Sequence, residues 1–205
     1  MPTGNFGDVL AGYYAKRLGL PMEKLVVATN SNDILARFWK TGRYEKAAST
    51  GDVGSEDTAK VNGSSDGQQA TSVGGVAATL SPAMDILVSS NFERLLFYLA
   101  LERLTSHAVA RDGEVDGGAR ARVRMAQDHV RTWMDEVKSQ GRVVVPEDAV
   151  DAARRDMIAD RTSDSQTREL IRQYYDAKDS KYGSYVADPH TAVALSVAHR
   201  IQSQR

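Results

Sequence analysis

The spacing of apolar residues predicts a helix followed by a short buried strand in the first part of the chain. Apolar positions recur three and four residues apart over about residues 7–18, and Gly19 and Pro21 then end this helix. The next apolar run, Lys24–Asn30, is rich in valine and ends in polar, turn-forming residues, which indicates a buried strand. A helix followed by a buried strand favours a parallel α/β sheet.

Amphipathic helices are predicted to dominate the second half of the chain. One begins at Asn91, where Phe92 and the following leucines lie on one helical face, and another ends at Gly141. Further helices are predicted after residues 30–33, after Pro146, after the capping-box sequence Ser163–Gln166 and after Asp188.

Short strands are predicted near residues 24–29, 76–80 and 143–145. We expect the first two to be parallel strands of one sheet. The predicted fold class is therefore α/β, with short parallel strands and a helix-rich second half.

Residues 48–75 differ in composition from the rest of the chain. They include six Gly and five Ser, with no aromatic residue and no Leu or Ile. Such a segment buries too little apolar area to offset the entropy lost on ordering, so it is predicted to be a disordered surface insertion. The alternative, a functional lid, requires anchoring residues that the segment lacks.

Composition and charge exclude several classes of protein. The 205 residues are 41% apolar and 26% charged, which is typical of a globular protein, and the net charge of −1 gives no field that recruits nucleic acid or a membrane surface. The chain has no cysteine, so disulfides, thiolate metal sites and cysteine nucleophiles are excluded. Its four histidines show no metal-ligand spacing, and with no signal peptide or spanning segment a cytoplasmic location is expected.

The first seven residues after Met1, P-T-G-N-F-G-D, form a small-residue loop that enters a helix. Gly4 and Gly7 allow close backbone approach to a bound group and backbone dihedral angles that other residues rarely adopt. Free N–H groups at a helix start favour an anion there. No lysine follows the second glycine, so this is not a nucleotide P-loop. On spacing alone, an ordinary tight helix entry is favoured over phosphate binding. No strand is predicted before the loop.

The sequence Asp188-Pro-His-Thr191 is a second candidate for a functional motif. Asp188 as helix N-cap and Pro189 at the first helical position have structural explanations. His190 and Thr191 fit solvated first-turn side chains; the functional alternative is that the Thr191 hydroxyl points into a cleft at the carboxyl edge of the sheet.

Five blocks occur in order along the chain: P-T-G-N-F-G-D at 2–8, A-T-N-S-N-D-I-L at 28–35, T-L-S-P-A-M-D at 79–85, S-S-N-F-E-R-L-L at 89–96 and D-P-H-T-A-V at 188–193. Together they resemble threonine synthases of the fungal and bacterial long-chain type. This resemblance implies a fold-type II enzyme that depends on pyridoxal 5'-phosphate (PLP), of which the chain represents an incomplete large domain over residues 1–205. It also implies conversion of the small molecule O-phosphohomoserine, with water, to threonine and phosphate.

The resemblance also implies roles for individual residues. Backbone N–H groups of the opening loop are expected to hold the cofactor phosphate, and Thr191 is expected to hydrogen-bond the pyridine nitrogen. The block containing Asn91, Phe92 and Arg94 matches the family, but no role is assigned to its members. The cofactor-binding loop residues are Gly4, Asn5, Phe6, Gly7 and Asp8.

One of the departures from the family pattern concerns the catalytic lysine. The family's Schiff-base lysine lies in a block upstream of the phosphate loop, and no lysine of this chain matches it. We therefore expect the chain to be the carboxyl-side portion of a larger enzyme and catalytically inactive alone. The alternatives are a non-catalytic remnant that binds phosphate or PLP, an interaction protein, or one half of an enzyme whose amino-terminal half is another polypeptide.

Overall fold

The computed structural model describes residues 1–46, 75–112, 117–177 and 183–204. The predicted insertion at 48–75 lies outside these ranges except for Gly75. The helices are α1 (Gly7–Arg17), α2 (Ile34–Thr41), α3 (Phe92–Asp112), α4 (Gly117–Gln140), α5 (Glu147–Asp156), α6 (Asp164–Asp176) and α7 (Pro189–Ser203), and the strands are β1 (Leu25–Thr29), β2 (Arg43–Glu45), β3 (Arg142–Val144) and β4 (Met157–Arg161).

Strand β1 lies at the centre of a small parallel sheet. It pairs in parallel with β4, with Leu25 opposite Met157. On its other side Pro2 forms a parallel bridge with Ala28, and the Thr3 N–H donates to the Ala28 carbonyl at 2.8 Å. Residues 1–3 therefore run along β1, so the opening loop does follow an extended segment of this sheet. Because the three segments are parallel, their carboxyl ends lie at the same edge.

The predicted strand at 76–80 is wrong. Residues 77–79 lie in irregular backbone whose polar groups bond to side chains: the Ala77 N–H donates to Asn32 Oδ1 at 2.8 Å, and the Thr79 N–H donates to Asp85 Oδ2 at 2.9 Å. Because these two N–H groups donate to side chains, they are not available for hydrogen bonds to a neighbouring strand. The parallel partner of β1 is β4, and the sequence analysis did not predict it.

The predicted helices are confirmed, with small differences at their ends. Ser163 and Gln166 form both hydrogen bonds of a capping box at the start of α6. Asp188 caps α7, and its side chain accepts from the N–H groups of His190 and Thr191. The predicted strand at 143–145 is confirmed as β3, which pairs antiparallel with β2.

An aromatic cluster under the opening loop joins α1, α2, β2 and α3. The Phe92 ring lies 5.4 Å from Phe6 and 4.9 Å from Phe38, edge to face in both pairs, and it stacks on Tyr44 at 4.7 Å. Edge-to-face and offset-stacked rings stabilise a core beyond the area they bury, so this cluster gives the loop a rigid base. None of the helices in the described ranges is long and apolar enough to cross a bilayer.

Candidate functional site

The opening loop enters α1 through a left-handed residue. Phe6 is the N-cap and has φ 64° and ψ 9°, although the sequence analysis assigned the special backbone freedom to Gly4 and Gly7. A bulky residue in this region is strained, and it persists only where its surroundings fix it. The Phe6 ring is buried against Trp39 and Phe92 and thereby holds the turn.

Gly4 is required by close packing against the turn at residues 82–84. A β-carbon added to Gly4 would lie 2.8 Å from the Ala83 carbonyl oxygen and 3.1 Å from the Met84 Cα. Both atoms belong to the backbone and cannot rotate away. At Gly7 the added carbon would meet the Asn91 Nδ2 at 3.7 Å, which is an ordinary contact. The two glycines of the loop thus have different structural roles.

Consecutive amides of the loop have no acceptor. Within the described part of the chain, the backbone N–H groups of residues 4–9 donate no hydrogen bond. The neighbouring carbonyls are paired instead: Gly4 O accepts from the Ser89 hydroxyl at 3.0 Å, and Asn5 O accepts from the Asn91 side-chain amide at 2.8 Å. The loop therefore presents donors and has little free acceptor capacity, which is the arrangement of an anion site.

These amides border a cavity of about 260 Å³. It is lined by residues 2–9 together with Ala83 and Asn91, none of which is basic, and Asp8 is the charged residue among them. An anion in this cavity is therefore attracted by backbone dipoles and by the N-terminus of α1, with no lysine or arginine at the lining.

A buried polar cluster lies beside the loop, between the end of β1 and residues 77–85. The Asn30 side-chain amide donates to Asp85 Oδ1 at 2.7 Å and to the Ser81 hydroxyl at 3.0 Å. The Asn32 side-chain amide donates to the same Asp85 oxygen at 2.9 Å. Asn30 and Ser81 are each 1% exposed. No sequence pattern indicated a role for this cluster.

Thr191 lies in the first turn of α7 but does not line the loop cavity. Its hydroxyl donates to Asp188 Oδ2 at 2.5 Å, and this bond, followed by the Thr191 N–H, lowers the pKa of Asp188 below its ordinary value. Thr191 lines a separate, largely apolar cavity of about 650 Å³ together with Tyr174, Tyr185 and His199.

His190 connects α7 to the turn at residues 82–84. Its Nε2 accepts from the Ala83 N–H at 3.3 Å, and its Nδ1 lies 3.4 Å from Asp188 Oδ1. Because Ala83 also lines the loop cavity, a single turn joins the two predicted parts of the site.

Lysines in the described ranges lie away from the loop cavity. Lys16 pairs with Asp156 at 2.9 Å, and Lys24 donates to the Arg154 carbonyl at 3.2 Å. No cluster of three or more metal-ligating side chains occurs in the part of the chain that the structure describes.

Comparison with known proteins shows that the chain is similar to threonine synthases. No family model matches the chain. The chain is 44% identical over 203 residues to the threonine synthase of Schizosaccharomyces pombe, and 40% identical over 202 residues to that of Saccharomyces cerevisiae. The matches cover 98% of this chain and 31–32% of those two proteins. Over nearly its whole length the chain is similar to part of a threonine synthase. It spans about a third of the length of these relatives.

Solved structures of threonine synthases have the same fold over this region. The yeast enzyme superposes with a TM-score of 0.75 and covers 99% of this chain, and the chain covers 32% of the yeast enzyme. A PLP-bound threonine synthase from Brucella melitensis is 33% identical, with a TM-score of 0.64 over 97% of this chain and 31% of that protein. The predicted resemblance and the α/β fold class, a partial domain of this family, are confirmed. The assignments of individual threonine synthase site residues stay predictions.

Proposed function

We propose that the chain forms the cofactor-phosphate site of a threonine synthase. The observation that carries this proposal is the row of unpaired amides from Gly4 to Val9 at the start of α1. A phosphate group is an anion that a helix N-terminus and a glycine loop of this kind can bind. The whole enzyme would then convert O-phosphohomoserine and water to threonine and inorganic phosphate, in the cytoplasm.

The residues present fit the phosphate of PLP. Gly4 allows the loop to lie directly on the 82–84 turn, the buried Phe6 ring fixes the direction of the following amides, and the Asn91 side-chain amide occupies the Asn5 carbonyl. Bound PLP would supply an electron sink for carbanion charge. The contribution of this chain is to bind and orient the phosphate through fixed donors that need no rearrangement.

Thr191 is proposed to donate to the pyridine nitrogen. In the structure its hydroxyl donates to Asp188, so a new bond to the ring would replace that contact while Asp188 keeps the N–H groups of His190 and Thr191. A neutral hydroxyl does not protonate the ring nitrogen as a carboxylic acid would. The proposal requires a rotation of the Thr191 side chain or a shift of α7.

The phosphate site is best tested with an analogue of PLP that has no aldehyde, because an aldehyde would react with lysines at the surface. The 205-residue chain is titrated by calorimetry with 4-deoxypyridoxine 5'-phosphate, with inorganic phosphate and with 4-deoxypyridoxine. We expect the two phosphate compounds to bind competitively and the dephosphorylated compound to bind much more weakly. Equal binding of both pyridine compounds, or no binding of any compound, would overturn the proposal.

Asp8→Pro makes the test specific to backbone donors. Proline removes one of the six unpaired N–H groups at a first-turn position that tolerates it, and the preceding Gly7 has no β-carbon to clash. Asp8→Ala is the control, because it keeps the N–H and removes a like charge. We expect Asp8→Pro to weaken phosphate binding and Asp8→Ala to bind at least as tightly as the wild-type chain.

The chain alone is proposed to lack threonine synthase activity. No lysine in the described ranges lines the loop cavity, and this observation also favours the second candidate function, a phosphate- or PLP-binding protein without catalysis. Incubation with O-phosphohomoserine and PLP should give no threonine above the protein-free rate. Activity restored by a second polypeptide that supplies a lysine would support the split enzyme.

A further inference from the structure

We propose that Asp85 is a positioning residue for the phosphate site. This inference rests on the proposed function, because it concerns how the loop at residues 4–9 is held in its binding geometry. Asp85 itself does not line the loop cavity. It acts through the segment 77–91, which touches the loop at several points.

The Asp85 carboxylate is surrounded by donors. Its Oδ1 accepts from the Asn30 amide at 2.7 Å, from the Asn32 amide at 2.9 Å and from the Thr79 hydroxyl at 2.6 Å. Its Oδ2 accepts from the Thr79 N–H at 2.9 Å. Asp85 has no ion-pair partner among the described residues. Four donors converge on one carboxylate, so an amide at this position would place its own NH2 group against a donor.

This cluster fixes residues 77–85 to the carboxyl end of β1. Asn30 and Asn32 directly follow the strand, and both donate to Asp85. The Asn32 amide also donates to the Ala77 carbonyl at 2.9 Å. The sheet edge therefore sets the position of the 82–84 turn through hydrogen bonds to side chains, since no strand ladder connects them.

The segment after Asp85 in turn determines the position of the phosphate loop. The Ala83 carbonyl packs against Gly4, the Ser89 hydroxyl donates to the Gly4 carbonyl, and the Asn91 N–H donates to the Asn5 carbonyl at 3.2 Å. The same turn reaches His190 of α7 through the Ala83 N–H. A shift of residues 79–84 would therefore disturb both the contact of Ala83 with Gly4 and its hydrogen bond to His190.

The variant Asp85→Asn tests the proposal, and a double variant that exchanges the residues at positions 30 and 85 tests whether the loss can be reversed. The substitution turns one acceptor into a donor that faces the Asn30 or Thr79 donors, so we expect about a tenfold loss of affinity for 4-deoxypyridoxine 5'-phosphate and for inorganic phosphate. The double variant Asn30→Asp with Asp85→Asn restores a donor–acceptor pair in the reverse direction and should recover most of the affinity. Asp148→Asn, at a carboxylate that accepts from Arg103 and His107, is the matched control and should bind like the wild-type chain.

A ligand-free measurement separates failure of this inference from failure of the proposed function. Hydrogen exchange of the Asn91 amide, which donates to Asn5, reports the contact between the segment and the loop. We expect faster exchange in Asp85→Asn and recovery in the swapped pair, with far-UV circular dichroism unchanged. Unchanged exchange and affinity in a folded Asp85→Asn chain would refute the positioning role. If exchange behaves as expected but the wild-type chain does not bind the phosphate compounds, Asp85 positions the loop and the proposed function is wrong.

Discussion

The Ala83 carbonyl oxygen lies 2.8 Å from the point that a β-carbon on Gly4 would occupy. Two backbone segments thus meet at the position where the opening loop begins, and a side chain at Gly4 would separate them. The loop is held by segments distant in sequence as well as by its own residues. This contact gives the most direct test of the loop geometry.

Gly4→Ala is expected to weaken phosphate binding and to destabilise the fold. The new methyl group would push the loop away from residues 82–84, and overpacking of this kind costs about 1–3 kcal/mol. Gly7→Ala is the matched control, because its methyl would meet only a side-chain atom at 3.7 Å. Calorimetric titration with inorganic phosphate and urea unfolding measure both effects. Equal behaviour of the two alanine variants would contradict the packing argument.

Tyr44→Phe is expected to lower the free energy of unfolding by about 1–3 kcal/mol. The buried Tyr44 hydroxyl accepts the Ser89 N–H at 2.7 Å, and its loss leaves that buried donor unpaired. Tyr175→Phe is a suitable control because Tyr175 is 54% exposed. Urea unfolding at neutral pH measures the difference, and a loss no larger than that of the control would count against the bond.

Stability is also expected to fall at alkaline pH through Tyr44. Burial raises its pKa from 10.0 to about 12, while the Ser89 N–H opposes the shift. A folded pKa above the unfolded value means that this contribution is complete below pH 10.0 and is lost as the pH rises towards about 12. Comparison of the wild-type and Tyr44→Phe chains across this range should show a shallower decline in the variant. Parallel curves would exclude Tyr44 as a source of the decline.

Thr191→Val is expected to raise the pKa of Asp188 towards its ordinary value, because the Thr191 hydroxyl is the largest cause of the lowered pKa. A lowered folded pKa stabilises the chain above the unfolded value of 3.8, and this stabilisation is lost as the pH falls through the folded pKa. The Thr191→Val variant should therefore lose part of this stabilisation. NMR titration of the Asp188 carboxyl measures the shift, and Thr132→Val in α4 should leave it unchanged.

Ser163→Ala is expected to cost about 1 kcal/mol of stability. The Ser163 hydroxyl accepts the Gln166 N–H at 3.3 Å and so caps α6. Ser139→Ala is the control, because the Ser139 hydroxyl donates only within α4 and caps no helix start. Thermal unfolding of the two variants compares them, and an equal shift in melting temperature would argue against a capping role.

The sequence predicted those features that depend on local chemistry. The capping box at Ser163, the Asp188–Pro189 helix start and the glycine loop are determined by residues a few positions apart, and each is present in the structure. The family resemblance depended on five such blocks in order. None of these features requires knowledge of which distant segments meet.

The features that the sequence did not predict depend on long-range contacts. Strand β4 has only Met157 fully buried and ends in Asp160 and Arg161, so its apolar pattern is too weak to identify it. Residues 77–79 are held by Asn32 and Asp85, partners that no periodicity reveals. Phe6 adopts a left-handed conformation because Trp39 and Phe92 surround its ring, and the sequence analysis gave that freedom to the adjacent glycine.

A cavity lined by amides and by one carboxylate selects its ligand through geometry. Long-range Coulomb attraction contributes little here, because no basic side chain lines the cavity. Dipole fields decay steeply with distance, so dissolved ions screen such a pocket far less than they screen a lysine-rich surface. Nucleic acids and other extended polyanions would gain no advantage over a single small oxyanion. An oxyanion bound there would lose less affinity as the salt concentration rises than an oxyanion held by exposed lysines.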